Sequence, residues 1–334
     1  MRIFIDTGII PEIEQAYKWQ IVQGVTTNPS LIKKYLEDLR SRGKRMNLHD
    51  YYVQLLQFVD VFSKKDPVSL EVVGTTEDEM LKQGLILYNT FSEYHPQGTY
   101  IKIPVNPSMD EKNPVSFAGL NVIKKLSEQG IPVNCTLINN PEQGVAASMA
   151  GAKLLSPFAG RIDDMLRTKA GMKFNKTDYF PADGIVNNNG QRLRDDNGIV
   201  SGVDLVRVLV AAKKKYGLKS DVLAASIRNA MQVQECAYIC DSDISTIPFY
   251  IIEEMKTKGI NIAKEVPHDF RMKRDSLIDS SSYDTSSIDT IVEEGIEKHP
   301  QELYHPKTIE GMVLFTKDAE ALKELYAELF VSVR

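Results

Sequence analysis

Eight short runs of β-branched and aromatic residues recur along the chain, and amphipathic stretches separate them. The runs lie at 2–7, 24–27, 69–73, 99–105, 133–137, 153–158, 221–227 and 244–248. They read as strands because branched side chains pack well on a pleated surface. Apolar spacing of three and four residues predicts helices over 11–19, 29–42, 48–63, 76–91, 114–129, 141–150, 202–216, 230–240 and 249–258. Proline opens several of these, as at Pro11, Pro29 and Pro141, where a helix has no use for the missing amide hydrogen. Strands joined by such long crossovers pair in parallel, so the alternation means an α/β fold. Eight units are the number that closes a (β/α)8 barrel of TIM type. A doubly wound open sheet alternates in the same way, but no Gly-x-Gly-x-x-Gly turn follows the first run.

With 334 residues, the chain can bury one large core. We expect a single barrel domain over 1–334, with insertions at about 163–200 and 259–304 and a C-terminal helical segment at about 306–330. The first insertion carries the turn-rich Asn187-Asn188-Asn189-Gly190 and Asp195-Asp196-Asn197-Gly198, the second Asp279-Ser280-Ser281-Ser282-Tyr283-Asp284. Either could be a surface embellishment, a cover over a pocket or an interface. A net charge of −5 argues against a general nucleic-acid or anionic-membrane surface, yet leaves room for one local cationic pocket. No apolar stretch reaches membrane-spanning length, and the first residues read as a strand rather than a signal. Three cysteines make no disulfide framework, which fits a cytoplasmic protein, and Cys236 and Cys240 read as core. The histidines lack metal-ligand spacing, so neither a metal nor another cofactor is expected.

In a parallel barrel, chemistry sits where strands leave the C-terminal face. Reading each run for its last inward polar residue yields Asp6, Asn28, Glu71, Lys102, Asn134 with Thr136, Ser156 with Phe158 followed by Arg161, and Arg228. Lys102 is the most unusual, because it interrupts Tyr100-Ile101-Lys102-Ile103-Pro104-Val105. It is either a solvated sheet-edge charge or a buried amine, and burial of an amine favours the neutral form that attacks carbonyls. Bland readings remain for its companions. Asp6 and Asn28 could cap turns, Glu71 could form a structural ion pair with Lys102, and Asn134 and Thr136 could satisfy backbone groups. Arg161 and Arg228 are surface charges or, together, a clamp whose guanidinium forks match phosphate oxygens.

Six segments, in order, resemble the transaldolase and fructose-6-phosphate aldolase family. They are Phe4-Ile5-Asp6-Thr7, Gly24-Val25-Thr26-Thr27-Asn28-Pro29-Ser30-Leu31, Ile101-Lys102-Ile103-Pro104, Val133-Asn134-Cys135-Thr136-Leu137, Ser156-Pro157-Phe158-Ala159-Gly160-Arg161 and Ala224-Ala225-Ser226-Ile227-Arg228-Asn229. A weaker echo follows at His305-Pro306-Lys307-Thr308, Gly311 and Phe315. The resemblance implies a barrel enzyme with metal-free Schiff-base chemistry on small sugar phosphates, and a homo-oligomer. It makes Lys102 the amine that condenses with a ketose, Asp6 the acid–base group, and Glu71 with Thr136 the pair that positions a water. Thr27, Asn28 and Asn134 then bind the three-carbon unit, and Ser156, Arg161 and Arg228 hold phosphate. The aldolase branch has tyrosine where this chain has Phe158 and glutamine where it has Glu71, so the resemblance favours transfer of a dihydroxyacetone unit over its free release. A lyase that releases dihydroxyacetone, and a catalytically silent barrel used for binding or assembly, are the alternatives. The polar Ile138-Asn139-Asn140-Pro141-Glu142-Gln143 and both insertions depart from the family pattern. These departures could reshape acceptor specificity, block the usual oligomer or exclude a phosphate.

Overall fold

The computed structural model describes residues 1–187, 189–262, 265–320 and 323–332. Its strands are β1 (Arg2–Asp6), β2 (Val25–Thr26), β3 (Val68–Glu71), β4 (Thr99–Pro104), β5 (Val133–Ile138), β6 (Leu154–Pro157), β7 (Asp221–Ala224) and β8 (Ile244–Ile247). All neighbours pair in parallel and β8 returns to β1, so the eight strands form a closed barrel. Helix α1 (Ile10–Lys18) follows β1, and α2 (Pro29–Ser41) and α3 (Leu48–Phe62) follow β2. One helix then follows each of the next three strands: α4 (Glu77–Phe91), α5 (Ala118–Glu128) and α6 (Pro141–Met149). Between β6 and β7 lie α7 (Ala159–Lys169) and α8 (Gly202–Tyr216), and beyond β7 and β8 lie α9 (Ala230–Tyr238) and α10 (Phe249–Thr257). The chain continues through α11 (His268–Ser280), α12 (Ser286–Glu294), α13 (Pro306–Glu320) and α14 (Lys323–Ser332).

Alternation along each strand sorts the two faces. Ile101 and Ile103 are fully buried in the large core, as are Val68, Leu70 and Val133 on the flanking strands. The interior has two levels. Phe4, Leu154, Leu223 and Ile244 make a separate apolar cluster inside the barrel, joined by Ala225 just past the end of β7. The ring of Phe4 fills space left open at Gly24, where a Cβ would lie 2.6 Å from it. Toward the C-termini the interior turns polar. Register sets Asp6 opposite Thr26, Glu71 opposite Lys102, and Lys102 opposite Asn134.

Differences from the sequence reading are local. The strand expected to reach residue 227 ends at Ala224, so Ile227 and Arg228 sit on the loop that follows. Helix α7 escaped the reading, although Ile162, Met165 and Leu166 give it an apolar stripe. The second insertion is no loop. It folds as α11 and α12, followed by two short 3-10 turns. It docks on the outer helices: Tyr283 and Ser287 donate to the buried Glu142 (2.8 and 2.6 Å), Ser281 to Asp204 (2.8 Å) and Lys273 to Glu235 (2.9 Å). Asn188, one of the turn residues expected in the first insertion, lies outside the described residues. Among the described residues no helix is long and apolar enough to cross a membrane.

Candidate active site

Lys102 points into the barrel, 7% exposed, because Ile101 and Ile103 on either side face the helices. Its Nζ lies 3.2 Å from Glu71 Oε2 and donates to the Thr27 carbonyl at 3.2 Å. Removing these charges from water is costly, and pairing within the barrel offsets only part of it. Burial therefore pushes the Glu71 carboxyl up to about 7, although Lys102 pulls it the other way and Asp6 adds to the rise. Asp6 is raised as well, by burial first, with Lys102 and a hydrogen bond from Thr26 opposing. Thr26 donates to Asp6 Oδ1 at 2.9 Å and shares a 2.6 Å bond with Thr246. Two carboxyls raised by burial thus stand beside an amine in the barrel interior, an arrangement suited to proton transfer.

A cavity of about 330 Å³ opens above this level at the strand C-termini. Of the residues read from the sequence, Asp6, Asn28, Lys102, Thr136, Ser156, Phe158, Arg161 and Arg228 line it. Thr27, Glu71 and Asn134 do not; they lie behind the wall. Thr27 Oγ1 donates to the Ser69 carbonyl (3.2 Å). Asn134 is held between Ser69, to which its Nδ2 donates at 3.0 Å, and Ser156, whose hydroxyl donates to its Oδ1 at 2.7 Å. Asn28 also keeps its bland role, since Oδ1 accepts the Leu31 amide at 3.0 Å and caps α2. Thr136 Oγ1 is buried with no hydrogen-bond partner among the described residues, which leaves it for a ligand or water.

Arg161 and Arg228 mark one side of the cavity. Arg161 lies over the Phe158 ring, with its guanidinium carbon 5.5 Å from the centroid. Its Nη1, and Arg228 Nε, are buried donors without hydrogen-bond partners among the described residues. Arg228 is oriented by Asp164, whose Oδ2 lies 3.0 Å from Nη2. Lys102, Arg161, Lys176, Arg228 and Lys307 line the cavity against the acids Asp6, Asp164 and Glu310, so it is locally cationic although the whole chain is acidic. Among the described residues no three His, Cys, Asp or Glu side chains come together as a set that could hold a metal.

Helix α13 completes the wall with Lys307, Glu310 and Leu314. The polar segment after β5 anchors it. Asn140 Nδ2 donates to the Glu302 and Tyr304 carbonyls (3.1 Å each), Gln143 Nε2 to the Leu303 carbonyl (2.8 Å), and Asn139 and Gln143 both to Thr308 Oγ1 (3.0 Å each). Gly311 permits the close approach, because a Cβ there would lie 2.9 Å from Arg161 Nη1. The departure from the family pattern at 138–143 is therefore a platform for the C-terminal helix.

A family profile described as Transaldolase/Fructose-6-phosphate aldolase matches residues 3–325. The chain belongs to the transaldolase/fructose-6-phosphate aldolase family. It is 32% identical to a probable transaldolase of Thermodesulfovibrio yellowstonii and 31% identical to probable transaldolase 1 of Listeria monocytogenes. Each match covers 76% of this chain and 90% of the relative, so roughly a quarter of this chain has no counterpart there. A mandelate oxidase structure aligns with a TM-score of 0.41 at 12% identity, over 83% of this chain and 73% of that one.

As a transaldolase-type enzyme the chain has wall residues that strand-end reading missed, among them Thr26, Thr246, Asp164, Lys176 and Ser226. A signal existed for three. Thr26 and Ser226 stand inside matched motifs, and Thr246 is a polar residue near the end of the eighth strand. Nothing local marks Asp164 or Lys176, which reach the cavity from α7 and from the segment after it.

Proposed function

We propose that the chain is a transaldolase that moves a dihydroxyacetone unit from a ketose phosphate, such as fructose 6-phosphate, to an aldose phosphate through a Schiff base on Lys102. The observation that carries this reading is Lys102, backed by Glu71, on the wall of the same cavity as Asp6 and the Arg161–Arg228 pair. The Lys102 amine adds to the ketose carbonyl, and the oxygen leaves as water with protons relayed by Glu71 and Thr136. Asp6 then takes the C4 hydroxyl proton. The C3–C4 electron pair passes into the protonated imine, an enamine forms and the shortened aldose departs. The enamine carbon attacks the acceptor aldehyde, Asp6 returns its proton to the new hydroxyl, and water hydrolyses the imine to free Lys102. Asn28 and Asn134 orient the three-carbon unit, Asn134 through the Ser69–Ser156 chain, while Ser156, Arg161 and Arg228 hold the phosphate. Placed acid–base groups of this kind contribute about 10²–10⁴-fold.

Phe158 favours transfer. Its ring supports Arg161 and carries no hydroxyl, so the enamine meets no phenol that could protonate it and release free dihydroxyacetone. Borohydride reduction in the presence of fructose 6-phosphate should leave a mass increase on Lys102. No adduct with any phosphorylated ketose sinks the Schiff-base reading and leaves the silent barrel. Steady release of dihydroxyacetone without an aldehyde acceptor would favour the lyase.

A further inference from the structure

The geometry points to Tyr326, on the C-terminal helix, as a positioning residue for Glu71: its ring shuts water away from Glu71 and its hydroxyl pins the Glu71 carbonyl. The inference rests on the proton-transfer role proposed for Glu71. Tyr326 is buried and packs with α14 against α3. Its hydroxyl donates to the Glu71 backbone oxygen at 3.2 Å and lies 2.9 Å from the Tyr52 hydroxyl. One phenol proton serves one acceptor. With the Tyr326 proton on the Glu71 carbonyl, Tyr52 must donate to Tyr326, and a relay of two phenols ends on the strand terminus that carries the acid.

Behind this relay lies a second cleft of about 390 Å³, lined by Val73, Thr75, Gln83, Thr316 and Tyr326 among others. Tyr326 belongs to that cleft and is not on the wall of the sugar cavity. Its ring therefore stands between this open cleft and the Glu71 strand end. Glu71 faces Lys102 on β4, Asp6 on β1, Tyr52 on α3 and Tyr326 on α14. Losing the ring changes hydration while leaving both of its charged neighbours in place. Since burial is the largest cause of the raised Glu71 carboxyl, wetting that side must lower it.

The test compares Tyr326→Ala with Tyr326→Phe. The Glu71 carboxyl band, assigned by its loss in Glu71→Gln, is followed against pH by infrared difference spectroscopy without substrate. In Tyr326→Ala its midpoint should fall by about one unit or more; in Tyr326→Phe, which keeps the ring, it should stay. With a ketose phosphate and an acceptor, kcat of Tyr326→Ala should drop about tenfold with KM little changed, because Tyr326 does not touch the sugar cavity. An unmoved midpoint in a folded Tyr326→Ala overturns the inference. Should that variant fail to fold, Tyr326→Val is read in its place by the same criterion. The titration needs no turnover, so failure of the transaldolase reading, seen as no adduct in the parent protein, is a separate result.

Discussion

Replacing Thr308 by valine keeps the side-chain shape and removes one hydroxyl from a fully buried cluster. That hydroxyl accepts from Asn139 Nδ2 and Gln143 Nε2, both at 3.0 Å, and donates to the Leu137 carbonyl or Gln143 Oε1, both at 3.2 Å. Each amide nitrogen has a second acceptor: Asn139 bonds the Leu137 carbonyl at 3.0 Å and Gln143 the Leu303 carbonyl at 2.8 Å. Valine therefore strands one N–H on each amide. A buried donor without a partner costs about 1–3 kcal/mol, so the pair costs roughly 2–6 kcal/mol before relaxation and about 3 kcal/mol once the neighbours adjust. For a urea slope of about 3 kcal/mol per M, the unfolding midpoint should fall by about 1 M. Thr308→Ser keeps the hydroxyl and loses a methyl, so it should cost only about 1 kcal/mol. Because α13 brings Lys307, Glu310 and Leu314 to the cavity, the valine variant should also raise KM for a sugar phosphate. A midpoint within about 0.2 M of the parent would falsify the view that this cluster anchors the helix.

Asp6→Asn should lower kcat by about 10²–10⁴-fold while borohydride still traps a ketose on Lys102; loss of trapping would assign Asp6 to imine formation instead. Glu71 and Asp6 must be ionised to accept protons, so kcat/KM should fall as pH drops through about 7, the value to which burial pushes Glu71. Glu71→Gln should move that limb to lower pH and depress the plateau, and a limb that stays in place assigns it to another group. Phe158→Tyr should raise dihydroxyacetone release relative to transfer; an unchanged ratio counts against the role given to the missing phenol. Leu223→Ala, in the apolar level below the site, should cost about 2–5 kcal/mol in urea unfolding, and a smaller loss would mean the barrel floor collapses to fill the gap.

Much of the site was legible because the signals were local. Period-two alternation placed Lys102 opposite in face to Ile101 and Ile103, and β-branched content marked all eight strands. Strand-end polarity then found Asp6, Thr136, Ser156 and both arginines, all of which line the cavity. Thr26 was passed over because the strand-end reading of the second run took Asn28, and a two-residue strand gives little periodicity to count from. It also gave Asn134 a place at the three-carbon unit, whereas Asn134 is held between Ser69 and Ser156 and does not line the cavity. Helices α11 and α12 were missed because 268–280 is largely polar, and its order comes from contacts with buried acids on distant helices.

By itself the sequence determined the order of the eight strands, the fold class, the family and the inward-facing amine of Lys102. Each of these follows from side-chain type and spacing over a few residues. Only the tertiary structure decided which acid stands beside Lys102, since that depends on the register of β3 against β4. It alone brought Lys176, Lys307 and Glu310 to the rim, and set Tyr326 behind Glu71 across a separation of 255 positions. Barrel closure and helix docking bring such residues together through burial and hydrogen bonds, and no local pattern records which partners those will be.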